Sequence, residues 1–302
     1  MSGPIGQGDF PKALQVGVNK WWGTGYGKHP LQLSDIYSDE SSSKAYEEDV
    51  QIVGTGLMPV KAKGAGIKFD TLRQGYTQRY THLTYAMGVI FTYEMLQDGQ
   101  YALGFKQARY LGFSARQTQE TVAANVLNRA FNSAYTFADG SSLCATDHAR
   151  ISGGVFKNKL SVDADLSEIA VEQALIDIGN LEDDRGNKIA VKAKKLIVPN
   201  QLMFQAARIL KSEQQSGTAN NDINTIRTET GLGHAVNNFL TDPDAWFITT
   251  NVPDGMKRIK RESVSAPKRE EDFDTSNMKF KCMFRESYGC TDPRGIYGSA
   301  GG

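Results

Sequence analysis

Apolar residues recur at steps of three and four along residues 101–132, and polar residues fill most positions between them. This spacing places the apolar side chains on one face, so it predicts a single long helix. At a rise of 1.5 Å per residue, the helix would span about 45 Å. Gly104 and Gly112 interrupt the pattern, and we expect them to mark a bend or a start, because glycine is a weak helix former. The apolar positions are Leu103, Ala108, Leu111, Ala115, Val122, Val126, Leu127 and Phe131.

Residues 49–92 show a different pattern, rich in Tyr, Thr, Ile and Val, with a run of Lys, Gly and Ala at 61–66. β-Branched and aromatic residues on both sides of a turn-forming run predict a long β-hairpin. The small residues of its tip cannot build a core, so the hairpin needs another surface to lie on. The segment is basic, and its cations are Lys61, Lys63, Lys68, Arg73 and Arg79.

Residues 1–48 contain no apolar period that is sustained long enough to predict a packed element. They hold three prolines, several glycines and more acidic than basic residues, and we interpret them as an extended arm. Trp21 and Trp22 are adjacent in this arm. Two interpretations of the pair stay open: it docks on another surface as a binding hot spot, or the arm folds onto its own domain.

The rest of the chain predicts mixed helices and strands, so the fold class is α+β. Asp165 and Glu168 have the spacing of a capping box and predict a helix that runs to about residue 181. Strands are predicted at 189–198, 245–249 and 278–290, a second helix after Asn200, a polar loop at 216–221 and a fraying tail at 298–302. The inward side chains expected on the two helices are Ile169, Leu175, Ile176 and Ile178, then Met203, Phe204, Ala207, Ile209 and Leu210.

Composition narrows the classes of function. The 302 residues include 34 Lys and Arg against 34 Asp and Glu, so the formal net charge is zero. This balance argues against a dedicated nucleic-acid binder, whose affinity scales with uncompensated Lys and Arg. Three cysteines without a Cys-x-x-Cys pair argue against a disulfide scaffold or a structural zinc site. No apolar run predicts a membrane span, and we expect no signal peptide at the N-terminus.

No constellation of nucleophile, base and oxyanion donor emerges, so we expect no enzyme, and no cofactor or metal ligand set is expected. Residues 23–28 are glycine-rich but lack the Walker spacing, so no nucleotide site is expected there. Cys144 and His148 have a spacing compatible with a dyad, but their neighbours predict a loop; a hydrolase that uses them is an alternative. The basic run 257–261 is accompanied by nearby acids and is interpreted as a solvated loop, with DNA binding as an alternative.

The order of these features is more informative than any one of them. An arm, a basic hairpin, a long helix, an α/β domain and returning strands follow one another over the chain. This order resembles the HK97-like major capsid proteins of tailed bacteriophages, in particular a Mu-like major head subunit branch, over most of residues 45–299. The local sequences that carry the resemblance are VLNRAF at 126–131, DGSSLCATDH at 139–148, DLS at 165–167, KLIVP at 195–199, LTDPDAWF at 240–247, RESYG at 285–289, DPRG at 292–295 and YG at 297–298.

The resemblance implies an HK97-like capsid fold and a subunit that assembles as hexamers and pentamers into an icosahedral shell around phage double-stranded DNA. It implies portal, scaffolding and decoration proteins as partners, weak non-specific DNA contact, no membrane and no catalytic site. The protein would then be part of the virion and be assembled in the host bacterial cytoplasm. The implied parts are an N-terminal arm at 1–48, an extended E-loop hairpin at 49–92, a peripheral domain with the spine helix at 93–159, an axial domain at 160–255 and returning peripheral strands at 256–302.

The acidic arm and the basic hairpin are the two parts without a core, so we expect them to overlap between neighbouring subunits. Exposed ion pairs contribute about 0–1 kcal/mol each, so such contacts matter only when repeated over many copies. The lysine–asparagine cross-link of some family members is not expected, because no partner can be assigned. A nanocompartment shell of the encapsulin type, which encloses protein cargo, is the alternative. The candidate inter-subunit contacts are Trp21, Trp22, Lys61, Lys63, Lys68, Arg73, Arg79, Lys257, Arg258, Lys260 and Arg261.

Overall fold

A computed structural model describes residues 10–214 and 223–302. The first nine residues of the predicted arm and the predicted loop 216–221 lie outside the described residues. The helices are α1 (Phe10–Gly27), α2 (Tyr93–Gln97), α3 (Tyr101–Asn128), α4 (Glu168–Gly179), α5 (Met203–Lys211) and α6 (Thr225–Thr230). The strands are β1 (Ser38–Ser41), β2 (Tyr46–Val53), β3 (Arg73–Thr81), β4 (Leu83–Phe91), β5 (His148–Ala149), β6 (Val155–Phe156), β7 (Ala193–Val198), β8 (Gly233–Val236), β9 (Trp246–Thr250), β10 (Met256–Glu262), β11 (Lys268–Glu271), β12 (Met278–Cys290) and β13 (Ile296–Ser299).

The long strand β12 organises a five-stranded sheet. It pairs with β4 along one edge, and with β10 and then β11 along the other, while β1 pairs in parallel with β10. Alternate residues of β12 (Phe280, Cys282 and Phe284) are buried, as the side-chain period of two requires. The strand predicted at 278–290 is therefore confirmed.

The predicted long helix is confirmed as α3, which has 28 residues, and it packs beside α1 on one face of this sheet. The expectation that residues 1–48 contain no packed element is wrong, because α1 buries Leu14, Val18 and Trp22 at four-residue steps. Glycines and tryptophans between these positions hide the period in the sequence. Pro11 falls in the first turn of the helix, where its missing N–H breaks no helical hydrogen bond.

Two glycines allow α1 and α3 to approach until their backbones are almost in contact. A Cβ atom added at Gly112 would lie 2.3 Å from the Trp22 carbonyl oxygen, and one at Gly25 would lie 2.0 Å from the Arg109 carbonyl oxygen. Gly104 faces the Phe91 ring in the same way, at 2.7 Å. The predicted bend or start at Gly104 and Gly112 is therefore wrong: both lie inside one continuous helix, and they serve its packing.

A second sheet has the strand order β13-β9-β7-β8 and packs against α4 and α5. The strand predicted at 245–249 is confirmed as β9. The tail predicted to fray at 298–302 includes the last two residues of β13, which are buried. Helix α4 begins at Glu168, but its cap is Ser167, whose hydroxyl accepts from the Ala170 amide. The side chains that the sequence places wrongly inside are Ile169, Ile176 and Phe204, which are exposed.

The predicted hairpin divides into two parts. β2 and β3 form a two-stranded antiparallel ribbon, whereas β4 belongs to the five-stranded sheet. Residues 54–72 between β2 and β3 form a long loop without strands. The ribbon thus forms a sheet of its own, and the loop joins its two strands.

Candidate inter-subunit contact site

The loop 54–72 exposes large apolar side chains that a soluble monomer would bury. Met58 and Val60 are 97% and 99% exposed, and Leu57 and Phe69 are more than four-fifths exposed. The side chains of the loop have too few packed neighbours to form a core. A long loop without secondary structure is usually functional. A contiguous exposed apolar segment on an extension marks a protein–protein contact.

The base of this loop is fixed to the turn at 183–187 by one carboxylate. Asp70 Oδ2 accepts from the Gly56 amide at 2.9 Å and from Arg185 Nη1 at 2.6 Å, and Oδ1 accepts from the Thr71 amide. The Gly56 hydrogen bond, followed by that from Arg185, lowers the pKa of Asp70 to about 2. Only the base of the loop is held, so its tip is presented to solvent.

The loop lysines are free of partners in the described parts of the chain. Lys61, Lys63 and Lys68 are exposed, and no hydrogen bond or ion pair joins them to residues 10–214 or 223–302. Arg73 is also exposed, while the Arg79 guanidinium lies 3.8 Å from the centre of the Tyr46 ring. All five stay candidates for contact with another subunit.

Lys257 connects the ribbon to the five-stranded sheet. Its Nζ lies 2.5 Å from Asp49 Oδ2 in β2, 2.9 Å from Asp254 and 3.3 Å from Glu40, and its side chain is 6% exposed. Burial alone would lower the pKa of Lys257, but the hydrogen bonds to Asp49 and Asp254 outweigh it and raise that pKa. Lys257 therefore holds the base of the ribbon within one subunit.

The basic run 257–261 is not a solvated loop, because it forms strand β10. Arg258 is buried against Glu286, and Lys260 Nζ lies 2.5 Å from Asp39 Oδ2 in β1. Only Arg261 of this run is fully exposed. The expected complement of the acidic arm was the basic hairpin, but Asp39 and Glu40 instead neutralise β10 of their own chain. The sequence signal that was missed is this match between the arm acids and the basic run.

The two tryptophans have different surroundings. Trp22 is 7% exposed and stacks on Tyr26, so it belongs to the contact between α1 and the sheet. Trp21 is 40% exposed and lies beside Phe105. The second interpretation of the arm, that it folds onto its own domain, therefore holds for Trp22. Trp21 stays a candidate contact.

Cys144 and His148 do not form a dyad. His148 is fully buried, with Nδ1 at 2.6 Å from Asp139 Oδ2 and Nε2 at 3.1 Å from Asn158 Oδ1. Asn158 is fixed because its Nδ2 donates to two carbonyl oxygens. Burial raises the pKa of the Cys144 thiol, so the reactive thiolate is disfavoured. Both imidazole nitrogens are thus used to hold the loops around residues 139–158 together.

Within the two described ranges, no group of three or more His, Cys, Asp or Glu side chains is arranged to hold a metal ion. None of the described helices has both the length and the apolarity needed to cross a membrane.

The fold, with an α1–α3 layer on one sheet, a second sheet and a two-stranded ribbon, is similar to that of proteins from capsids and a virus-like particle. The virus-like particle from Pyrococcus furiosus is similar, with a TM-score of 0.55, 14% identity and coverage of 94% of this chain and 98% of that chain. The procapsid protein of bacteriophage JBD30 has a TM-score of 0.53 and 12% identity over 98% and 76% of the two chains. The capsid protein of cyanophage P-SCSP1u has a TM-score of 0.53 and 10% identity over 89% and 87%. The fold is therefore the α+β, HK97-like capsid fold.

The sequence profile of a family described as phage capsid protein matches residues 75–299. The match covers well over half of the chain, so the chain belongs to the phage capsid protein family and is a major capsid protein. No curated protein matches it. The assignment to the Mu-like branch stays a prediction.

Proposed function

We propose that this capsid protein assembles as hexamers and pentamers into an icosahedral shell that encloses phage double-stranded DNA. The observation that carries the proposal is the loop 54–72, whose apolar and basic side chains have no partner within the described subunit. A neighbouring copy can cover this loop, and each copy then offers its own loop to the next. Such heterologous contacts close into rings when the rotation between copies allows it.

The two sheets support the division into peripheral and axial domains. We propose that the sheet centred on β12, together with α1 and α3, forms the peripheral domain, and that residues 160–255 form the axial domain. Strand β13 lies within the predicted segment 256–302, but it is hydrogen-bonded to β9 and completes the second sheet. The end of the chain therefore belongs to the sheet of the proposed axial domain.

The proposed partners are further copies of the chain, portal, scaffolding and decoration proteins, and the packaged DNA. The subunit would be assembled in the host bacterial cytoplasm and remain in the virion. A purely structural role is supported by the buried Cys144 thiol and by the use of both His148 nitrogens in hydrogen bonds. A hydrolase built on these two residues is thereby disfavoured.

The test is electron microscopy of the expressed full-length chain. We expect closed shells whose capsomers show five-fold and six-fold symmetry in image averages. Open tubes, isolated rings of one size or monomers would contradict the proposal. Virions assembled in the bacterial host should also contain nuclease-protected duplex DNA.

The alternative, a nanocompartment shell that encloses protein, is less well supported because the matching family is one of phage capsid proteins. The contents of particles purified from the native host cell distinguish the two kinds of shell. Duplex DNA supports the phage shell, whereas a stoichiometric cargo protein without nucleic acid supports the alternative.

A further inference from the structure

The layer formed by α1 and α3 carries only cationic charge on its exposed surface. Helix α1 contains no Asp or Glu, and α3 contains only Glu120. Glu120 is 1% exposed, and its carboxylate accepts from the amides of Gln32 and Leu33, so it contributes no surface charge. We call α1, α3, Lys28 and Arg129 the helix layer.

The cations of the helix layer are not neutralised within the described residues. Lys20, Lys28, Lys106 and Arg129 are exposed, and Arg109 and Arg116 are half-buried. None of the six lies within ion-pair distance of a carboxylate of the described chain. The Arg116 guanidinium instead lies 4.0 Å from the centre of the Tyr26 ring. Since the whole chain has equal numbers of acidic and basic residues, the rest of the chain is net acidic, and the basic excess is concentrated here.

The other basic segments of the chain differ from this layer. The run 257–261 is largely neutralised by Asp39, Glu40, Asp49 and Glu286. The loop lysines lie on an extension together with exposed apolar side chains, a combination that fits a protein partner better than a phosphate backbone. The helix layer is therefore the surface best suited to a polyanion.

We propose that the helix layer is the surface through which the subunit binds the phosphate backbone of double-stranded DNA, without reading its sequence. The spacing agrees with this ligand, because the 23 steps from Lys106 to Arg129 correspond to about 35 Å along a helix, close to one turn of the duplex. That the duplex is the packaged genome rests on the proposed function, and it places the helix layer on the inside of the shell.

The test is binding of a fluorescent 30-base-pair duplex to the full-length chain at protein concentrations below those that give shells. If about six phosphates are neutralised, affinity should fall about a thousandfold between 50 and 200 mM salt. Replacing Lys20, Lys28 and Lys106 with Gln should weaken binding and reduce the slope of log affinity against log salt by about 0.9 per lysine. The matched control replaces Lys61, Lys63 and Lys68 with Gln, which removes the same charge.

The two variants separate the possible outcomes. Loss of affinity and slope in the helix-layer variant, with little change in the loop variant, supports the proposal. Equal losses in both variants, or a wild-type affinity that does not depend on salt, would overturn it. Tight binding of poly-L-glutamate without binding of the duplex would assign the surface to an acidic protein and also overturn it. Shells that form normally in the absence of duplex binding would leave the proposed function standing and reject only this inference. Circular dichroism checks that both variants are folded.

Discussion

Arg258 and Glu286 form a buried ion pair between the neighbouring strands β10 and β12. Arg258 donates from Nε at 2.9 Å and from Nη2 at 2.7 Å to Glu286 Oε2, and the two side chains are 5% and 1% exposed. Glu286 Oε1 also accepts from the Tyr288 hydroxyl and from Gln119 on α3. The ion pair therefore connects the five-stranded sheet to helix α3.

Replacing Glu286 with Ala should destabilise the subunit strongly. The change removes the buried partner of Arg258 and leaves it only the half-exposed Asp39, 3.6 Å from its Nη1. Breaking a buried pair in this way typically costs about 3–5 kcal/mol. The measurement is the free energy of unfolding in urea. The matched control is Glu270→Ala, which breaks the exposed pair with Lys281 and should cost less than about 1 kcal/mol. Equal effects of the two substitutions would show that the buried pair has no special role.

The close approach of α1 and α3 gives a second prediction. Gly112→Ala should force α1 away from α3, because the new methyl group would lie 2.3 Å from the Trp22 carbonyl oxygen. We expect a loss of about 1–3 kcal/mol and a red shift of the fluorescence of Trp22 as its ring becomes hydrated. Gly23→Ala is the control, since nothing lies within 4 Å of a Cβ at that position of α1. It should stabilise the helix by up to about 1 kcal/mol, and a loss there would contradict the argument.

These contacts show which parts of the fold the sequence could predict. Helix α3 and strand β12 follow from local periodicity, because each buries mainly one face. Strand β9 follows from its run of aromatic and β-branched residues, and it is buried on both faces. The burial of Lys257 could not be predicted in this way, since its partner Asp49 is 208 positions distant in the chain. In α4 the apolar residues lie on more than one face, and only the tertiary contacts select Val171 and Ile178 as buried over Ile169.

The exposure of the loop lysines was predictable for a related reason. The small residues of the tip at 61–66 cannot build a core, and Lys61, Lys63 and Lys68 are exposed in the structure. Trp22 and Arg258, two candidate contacts that are buried within the subunit, have partners from distant segments. Local pattern therefore predicts that the loop tip lacks a core, but it does not predict which charges are neutralised within the subunit.

The Asp139–His148 pair gives a prediction of acid sensitivity. Burial alone would raise the pKa of Asp139, but the hydrogen bonds from His148 and from the Ser141 amide outweigh it and lower that pKa. A carboxyl with a lowered folded-state pKa stabilises the fold above the unfolded-state value of about 3.9, and this contribution is lost as the pH falls through the folded-state pKa. Asp139→Asn should therefore destabilise the subunit at pH 7 by about 1–3 kcal/mol and flatten the loss of stability below about pH 4.

Urea unfolding between pH 7 and pH 2.5 measures this effect. The control is Asp163→Asn, which removes the partly exposed partner of Lys159 and should change stability by less than about 1 kcal/mol. An Asp139→Asn variant with the same acid profile as the wild type would show that the buried pair does not set the acid sensitivity.

The loop lysines give the most direct test of the contact site. Because Lys61, Lys63 and Lys68 make no ion pair or hydrogen bond with the described part of the subunit, their joint replacement with Glu should leave its unfolding free energy within about 0.5 kcal/mol of the wild type. The same variant should lose most of its assembly, since a contact repeated around every ring is changed from attractive to repulsive. Sedimentation and negative-stain microscopy measure the fraction of protein in shells, and the charge-conserving replacement of the three lysines with Arg should assemble normally. If the Glu variant forms normal particles, these lysines do not face a neighbouring subunit, and the apolar side chains of the loop alone must hold the contact.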